Sequence, residues 1–248
     1  LFTLNGHSSW VKAVAVIPNG QQVISASSDN TLKVWNLDTG KKGFFNFIRN
    51  LINRRQLFTL NGHSSWVKAV AVTPNGQKVI SASRDHTLKV WNLDTGKKGF
   101  FNFIKNLINR RQLFTLNGHS SWVNAVAVTP NEQQVISASS DNTLKVWNLD
   151  TGEEQFTLNG HSNSVSAVAV TPNEQQVISA SSDNTLKVWN LDTGEVITTF
   201  TGEYPINCCA VAPDGVTIVA GEQSGRVHFL RLEGMQGEQT QGRGDRNG

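Results

Sequence analysis

Residues 6–40 read GHSSWVKAVAVIPNGQQVISASSDNTLKVWNLDTG, and the order of apolar and turn-forming residues in them decides the fold. Val11 to Val16 alternates around Ala13 and Ala15, Pro18-Asn19-Gly20 interrupts the alternation with a turn, and Gln22 to Ser27 resumes it. Asp29-Asn30 makes a second tight turn into Leu32, Val34 and Leu37. Asp38-Thr39-Gly40 makes a third before Leu57 to Leu60. The spacing predicts four antiparallel strands in one unit, an all-β chain.

The unit recurs. Leu1 to Gln56 repeats almost unchanged from Leu57 to Gln112, and shorter copies begin at Leu113 and Phe156. His7 and His63 are 56 residues apart, as are His63 and His119, whereas His119 to His161 and His161 to Glu203 are steps of 42. A period of this length marks a repeat architecture, because one four-stranded sheet cannot cover both its faces and buries them against its neighbours. Arranged radially, such sheets make the blades of a propeller.

The four Gly-His pairs ending in His7, His63, His119 and His161 are each followed at fixed distance by Ser-Ala-Ser-x-Asp and Leu-Lys-Val-Trp-Asn. On these motifs the chain resembles the WD40-repeat β-propeller family from Leu1 to about Leu232, with units from 1, 57, 113, 156 and 200. The resemblance implies a buried tetrad at His7, Ser25, Asp29 and Trp35, with Ser27 as an alternative to Ser25. Its equivalents are His63, Ser81, Asp85 and Trp91; His119, Ser137, Asp141 and Trp147; and His161, Ser179, Asp183 and Trp189. A catalytic triad is the competing reading of His–Asp–Ser, and would make the chain a hydrolase. Four internal copies, each ending on a Trp, fit a structural set, so no catalytic residue and no enzyme activity is expected. In the fifth unit Glu203, Ala220, Ser224 and Leu230 stand where the tetrad would be. The resemblance also implies that Leu1 to Leu4 supplies the fourth strand of that unit, giving five four-stranded blades, as a closed ring or as an open arc of a larger propeller.

Composition agrees and excludes other classes. The 248 residues hold only two cysteines, the adjacent Cys208 and Cys209, expected in the core, so neither a disulfide framework nor a metal site is indicated and no cofactor is expected. There is no leader and no apolar run of the roughly 20 residues that would span a bilayer, so a cytoplasmic location is expected. The missing initiator Met points to a piece of something longer, and the Gly- and Gln-rich stretch 233–248 reads as a disordered tail.

Two features individualise the chain. Residues 41–56 and 97–112 are additions to the ordinary unit, each with five Lys or Arg and no acid, so they supply +10 to a net charge of +3. At 100° per residue their apolar side chains, Phe47 and Leu51 in one and Phe103 and Leu107 in the other, fall on one face, which predicts two short amphipathic helical inserts. They either pack on the propeller or dock a partner, with an anionic membrane surface as the second candidate; nucleic acid is not expected, since the apolar stripe would go unused. On the opposite face, Trp10, Trp66 and Trp122 give way to Ser164 in the fourth copy, and Arg84 and His86 replace Ser28 and Asn30 in the second. These five residues are the candidate binding set. The ending around Phe200-Thr201-Gly202-Glu203 is similar to that of bacterial, cyanobacterial-type multidomain WD40 proteins carrying NACHT or caspase-like modules. That similarity implies a scaffold or sensor segment of a signalling protein, binding other proteins and open to self-association.

Overall fold

The computed structural model describes residues 3–18, 20–37, 56–93 and 112–233. Among these residues nineteen strands fall into five antiparallel sheets. The first holds β1 (Val11–Val16), β2 (Gln22–Ser27), β3 (Leu32–Asn36) and β4 (Gln56–Leu60) in sequence order. The second is β5 (Val67–Val72), β6 (Lys78–Ser83), β7 (Thr87–Asn92) and β8 (Gln112–Asn117). The third is β9 (Val123–Val128), β10 (Gln134–Ser139), β11 (Leu144–Asn148) and β12 (Glu154–Leu158). The fourth is β13 (Val165–Val170), β14 (Gln176–Ser181), β15 (Thr185–Asn190) and β16 (Val196–Thr201). The fifth has three strands: β17 (Ile206–Val211), β18 (Thr217–Glu222) and β19 (Val227–Arg231). Each sheet has the form of a propeller blade.

The expectation of a fourth strand for the last blade is therefore corrected among the described residues: Thr3 and Leu4 are not in a strand. The amphipathic inserts and the tail beyond Glu233 lie outside the described residues, except that Gln56 and Gln112 open β4 and β8.

Burial follows stacking. One face of the first blade, with Ile24, Ala26, Leu32 and Val34, packs on Val67, Val79 and Trp91 of the second. The same interface recurs between blades two and three and between three and four, each time with the tetrad Trp of the later blade inside it. Between blades four and five Ile178, Ala180, Leu186 and Val188 meet Ile206, Ile218 and Ala220, with no Trp. The central strands β6, β10 and β14 are buried along nearly their whole length because they are covered on both faces.

Among the described residues this packing is not repeated between the first and fifth blades. Val11, Val14 and Val16 are 52, 66 and 59% exposed, and at the other end Val227 and Phe229 are 57 and 76% exposed. Among the described residues the chain is an open arc. Cys208, expected in the core, is exposed for the same reason: it occupies the place of Ala167, on the face that a following blade would cover. Cys209 points the other way, and burial pushes its thiol up to about 12.

Candidate functional site

The structure brings the four sets of His, Ser, Asp and Trp side chains together. His7 Nδ1 donates to Asp29 Oδ2 at 2.8 Å, His7 Nε2 accepts from Ser25 Oγ at 2.7 Å, and Trp35 Nε1 donates to the same Oγ at 2.7 Å. The later blades repeat this with His63–Asp85, His119–Asp141 and His161–Asp183 at 2.7–2.8 Å. Their imidazoles meet Ser81, Ser137 and Ser179 at 2.7 Å, and Trp91, Trp147 and Trp189 donate to those hydroxyls at 2.8–2.9 Å. Ser27 lies outside the tetrad, where its Oγ donates to Ser9 O and accepts the Asp29 N–H. Burial works against the Asp183 charge, but hydrogen bonds from Thr185, the Ser162 N–H and His161 outweigh it and hold the carboxyl at about 2. Asp29, Asp85 and Asp141 are held below the ordinary range in the same way.

As a nucleophile–base pair this set is closed. Ser81, Ser137 and Ser179 are fully buried, and each hydroxyl carries an indole N–H on its oxygen. What the set does is tie the Gly-His loop to the Asp turn at one end of each of the first four blades. In the fifth blade Glu222, which no sequence motif marks, replaces it. Its carboxylate accepts the backbone N–H of Glu203 and Tyr204 and the Ser224 hydroxyl, and those bonds hold it at about 2.

The residues by which the copies differ converge at the edge this tie organises. The backbone of Arg84 donates to Trp66 O at 2.9 Å, just as Ser28 donates to Trp10 O and Ser140 to Trp122 O. That places the Arg84 guanidinium between two indoles, 4.1 Å from the ring centroids of both Trp66 and Trp122. Lys12 Nζ lies 4.5 Å from the Trp10 ring and 5.5 Å from Trp66, and the two indoles meet edge to face at 6.3 Å. Of the five sequence-based candidates, Trp10, Trp66, Trp122 and Arg84 thus form one ladder across three blades. His86 stands apart, exposed in a left-handed turn with φ of 70°. Its counterparts Asn30, Asn142 and Asn184, in the same conformation, reach the next blade's loop through their amides.

Sequence reasoning missed the residues that complete the site. The innermost strand of every blade opens with a β-bulge, between Val11 and Ala13 in the first. The same irregularity lies between Val67 and Ala69, Val165 and Ala167, and Ile206 and Cys208, and opposite Ala138/Ser139 in the third. The extra residues are Lys12, Lys68, Asn124, Ser166 and Asn207, and a bulge re-aims its side chain. Their signal was available, because the last three differ where the copies otherwise agree. Lys68, Arg84 and Trp122 line one side of a cleft of about 320 Å³. Asn124, Ser140, Ser164, Ser166 and Asn207 line the rest. Asn124 Nδ2 is spent on Ser140 Oγ, Ser164 Oγ and Val165 O, which fixes that wall. Burial, then repulsion from Arg84 and Lys12, lowers the Lys68 ammonium below the usual lysine range. Among the described residues no cluster of side chains could hold a metal ion.

Blades that stack by a shared interface and carry a His–Ser–Asp–Trp tetrad define a repeat β-propeller. Comparison with known proteins gives the family. The WD domain, G-beta repeat family matches residues 1–36, 54–92 and 110–148, and a TEP-1 C-terminal beta-propeller family matches 161–232. The chain belongs to the WD40-repeat family. It is similar to small ribosomal subunit protein RACK1 of Drosophila melanogaster, 32% identical over 179 residues, covering 59% of this chain and 54% of that protein. MST50-interacting protein 11 of Pyricularia oryzae is 31% identical over 179 residues, with 59% and 54% covered. Striatin-3 of Homo sapiens is 31% identical over 151 residues, covering 59% of this chain and 18% of striatin-3. The chain spans about half the length of the first two.

Proposed function

We propose that the chain is a protein-interaction scaffold whose binding surface is the ladder of Trp10, Trp66 and Trp122 with its cations. The observation that carries this reading is the concentration of differences between copies. Positions 10, 66, 122 and 164, positions 12, 68, 124 and 166, and positions 28, 84 and 140 vary between copies, and Lys68, Arg84, Trp122, Asn124, Ser140, Ser164 and Ser166 of them line one cleft, while the first three interfaces between blades join the same faces. Half-exposed indoles beside a cleft are what an interaction hot spot requires. A relative whose own name records an interaction with another protein supports the reading. The test is selection of binders from a displayed peptide library. Trp66→Ser and Trp122→Ser, each installing the residue that the fourth copy carries, should weaken selected peptides on the order of tenfold. Peptides that bind both variants as well as the parent would sink the proposal.

The exposed end faces favour a second role, self-association. Val11, Val14 and Val16 offer the surface that Val67, Val70 and Val72 offer to the first blade, and Val227 and Phe229 stand where Leu186 and Val188 cover the fifth. A second copy could dock head to tail through these two faces. Light scattering should then give a mass that rises with concentration, and Val14→Lys should abolish the rise; a concentration-independent monomer would end this reading. Attachment to an anionic membrane surface rests on the sequence pattern of the inserts. It predicts vesicle binding that replacement of Phe47, Leu51, Phe103 and Leu107 by Ser abolishes. Service as the sensing segment of a larger signalling protein is a further proposal, resting on resemblance alone.

A further inference from the structure

We propose that the cleft between Lys68 and Arg84 is a carboxylate-binding site, and that the scaffold's partner is an acidic peptide segment. The inference rests on the reading that this face binds a protein, and names the chemistry of the ligand. Lys68 and Arg84 line the cleft, Lys12 lies beside them 5.5 Å from the Trp66 ring, and none of the three is ion-paired among the described residues. Elsewhere on the described surface Lys78 meets Asp150, Lys145 meets Glu154 and Arg226 meets Glu203, while Lys33, Lys89 and Lys187 donate to threonine hydroxyls.

The geometry selects further. With the Trp66 and Trp122 rings each 4.1 Å from the Arg84 guanidinium and its Nε buried, what remains for recognition is the edge formed by its two terminal Nη groups. A planar edge with parallel N–H donors matches the two oxygens of a carboxylate. The opposite wall carries Ser166 and Asn207, whose side chains make no hydrogen bond among the described residues, so they can take the peptide's own amide groups. Single-stranded nucleic acid would also seek cations beside aromatic rings, but it needs free ring faces on which to stack bases. Here Lys12 and Arg84 cover Trp66, and Arg84 covers one face of Trp122. The inserts are more basic than the cleft, so bulk attraction has to be separated from the site.

The experiment measures binding of a fluorescein-labelled oligo-glutamate peptide, its oligo-glutamine counterpart and oligo-thymidine to the full chain by fluorescence anisotropy. The glutamate peptide should bind more tightly than the glutamine one. Arg84→Ser and Lys68→Asn, residues that other copies already carry at these positions, should each weaken it about tenfold, as loss of one charge-assisted hydrogen bond does. Lys41→Ser with Lys97→Ser, which removes two charges from the inserts, should leave binding unchanged. Equal binding of the two peptides, tighter binding of oligo-thymidine through Arg84, or an equal loss in the insert variant would each overturn the inference. If library selection yields neutral peptides that depend on Trp66 but not on Arg84, the carboxylate site falls while the interaction surface stands.

Discussion

The first and second blades have nearly the same sequence and different surroundings, and the comparison separates what a repeat makes by itself from what its neighbour makes. Both build the tetrad with the same distances, 2.8 Å from His to Asp and 2.7 Å from His to Ser. Their inner strands part company. Val67 is fully buried and Val11 is 52% exposed, because the second blade has a sheet stacked in front of it and the first has none among the described residues. Hydrogen-bonded order belongs to the blade, and apolar burial belongs to the junction.

Acid should remove what the two blades share. The tetrad aspartates have lowered folded-state values, so their contribution is present above the ordinary value of 3.8 and is lost as pH falls through the folded one, about 2 for Asp183. His161 is also lowered, mainly by burial, so it favours the fold above its ordinary 6.5 and less as pH falls below it. Urea midpoints measured against pH should therefore decline gently below 6.5 and steeply below 3.8. A flat profile down to that second point would contradict the His161 contribution. Next in size, Asp85→Ala and Asp29→Ala should each cost about 3 kcal/mol by leaving a buried network broken. Near-equal losses by chemical denaturation would confirm that the tetrad acts within its own blade. Val67→Ala should cost about 2 kcal/mol while Val11→Ala costs under about 0.5. Equal costs would mean that something covers the first blade in solution. The smallest effect lies in a turn. Glu174 holds φ of 63° where Gly20 and Gly76 stand in the first two blades, so Glu174→Gly should stabilise by about 0.5 kcal/mol in thermal melts.

The strands and tetrads were legible in the sequence because both depend on near neighbours within one unit. Alternation marked β1 and β2 to the residue, and the choice between Ser25 and Ser27 fell to the hydroxyl within reach of the indole. What escaped depends on long-range placement. Cys208 reads as core on an inner strand and is exposed only because no further blade covers it. Glu222 could not be found by aligning tetrad positions, since it acts from the place of a serine, Ser181, with a longer side chain. The candidate site was half legible: the tryptophans and Arg84 announced themselves by changing between copies. Lys12 and Lys68 match each other and so draw no notice as a pair, and their roles come from the bulge that turns them toward the cleft.

The recurrence of one interface also bears on how such a chain can change. Since each of the first three junctions joins the same pair of faces, an additional 42-residue copy placed between two blades would meet matching surfaces on both sides. Blade number is thus free to vary by unequal exchange between near-identical gene segments without new packing having to be invented. Each such event would shift which Trp, Lys and Arg residues stand side by side, altering what the cleft recognises while leaving the architecture intact.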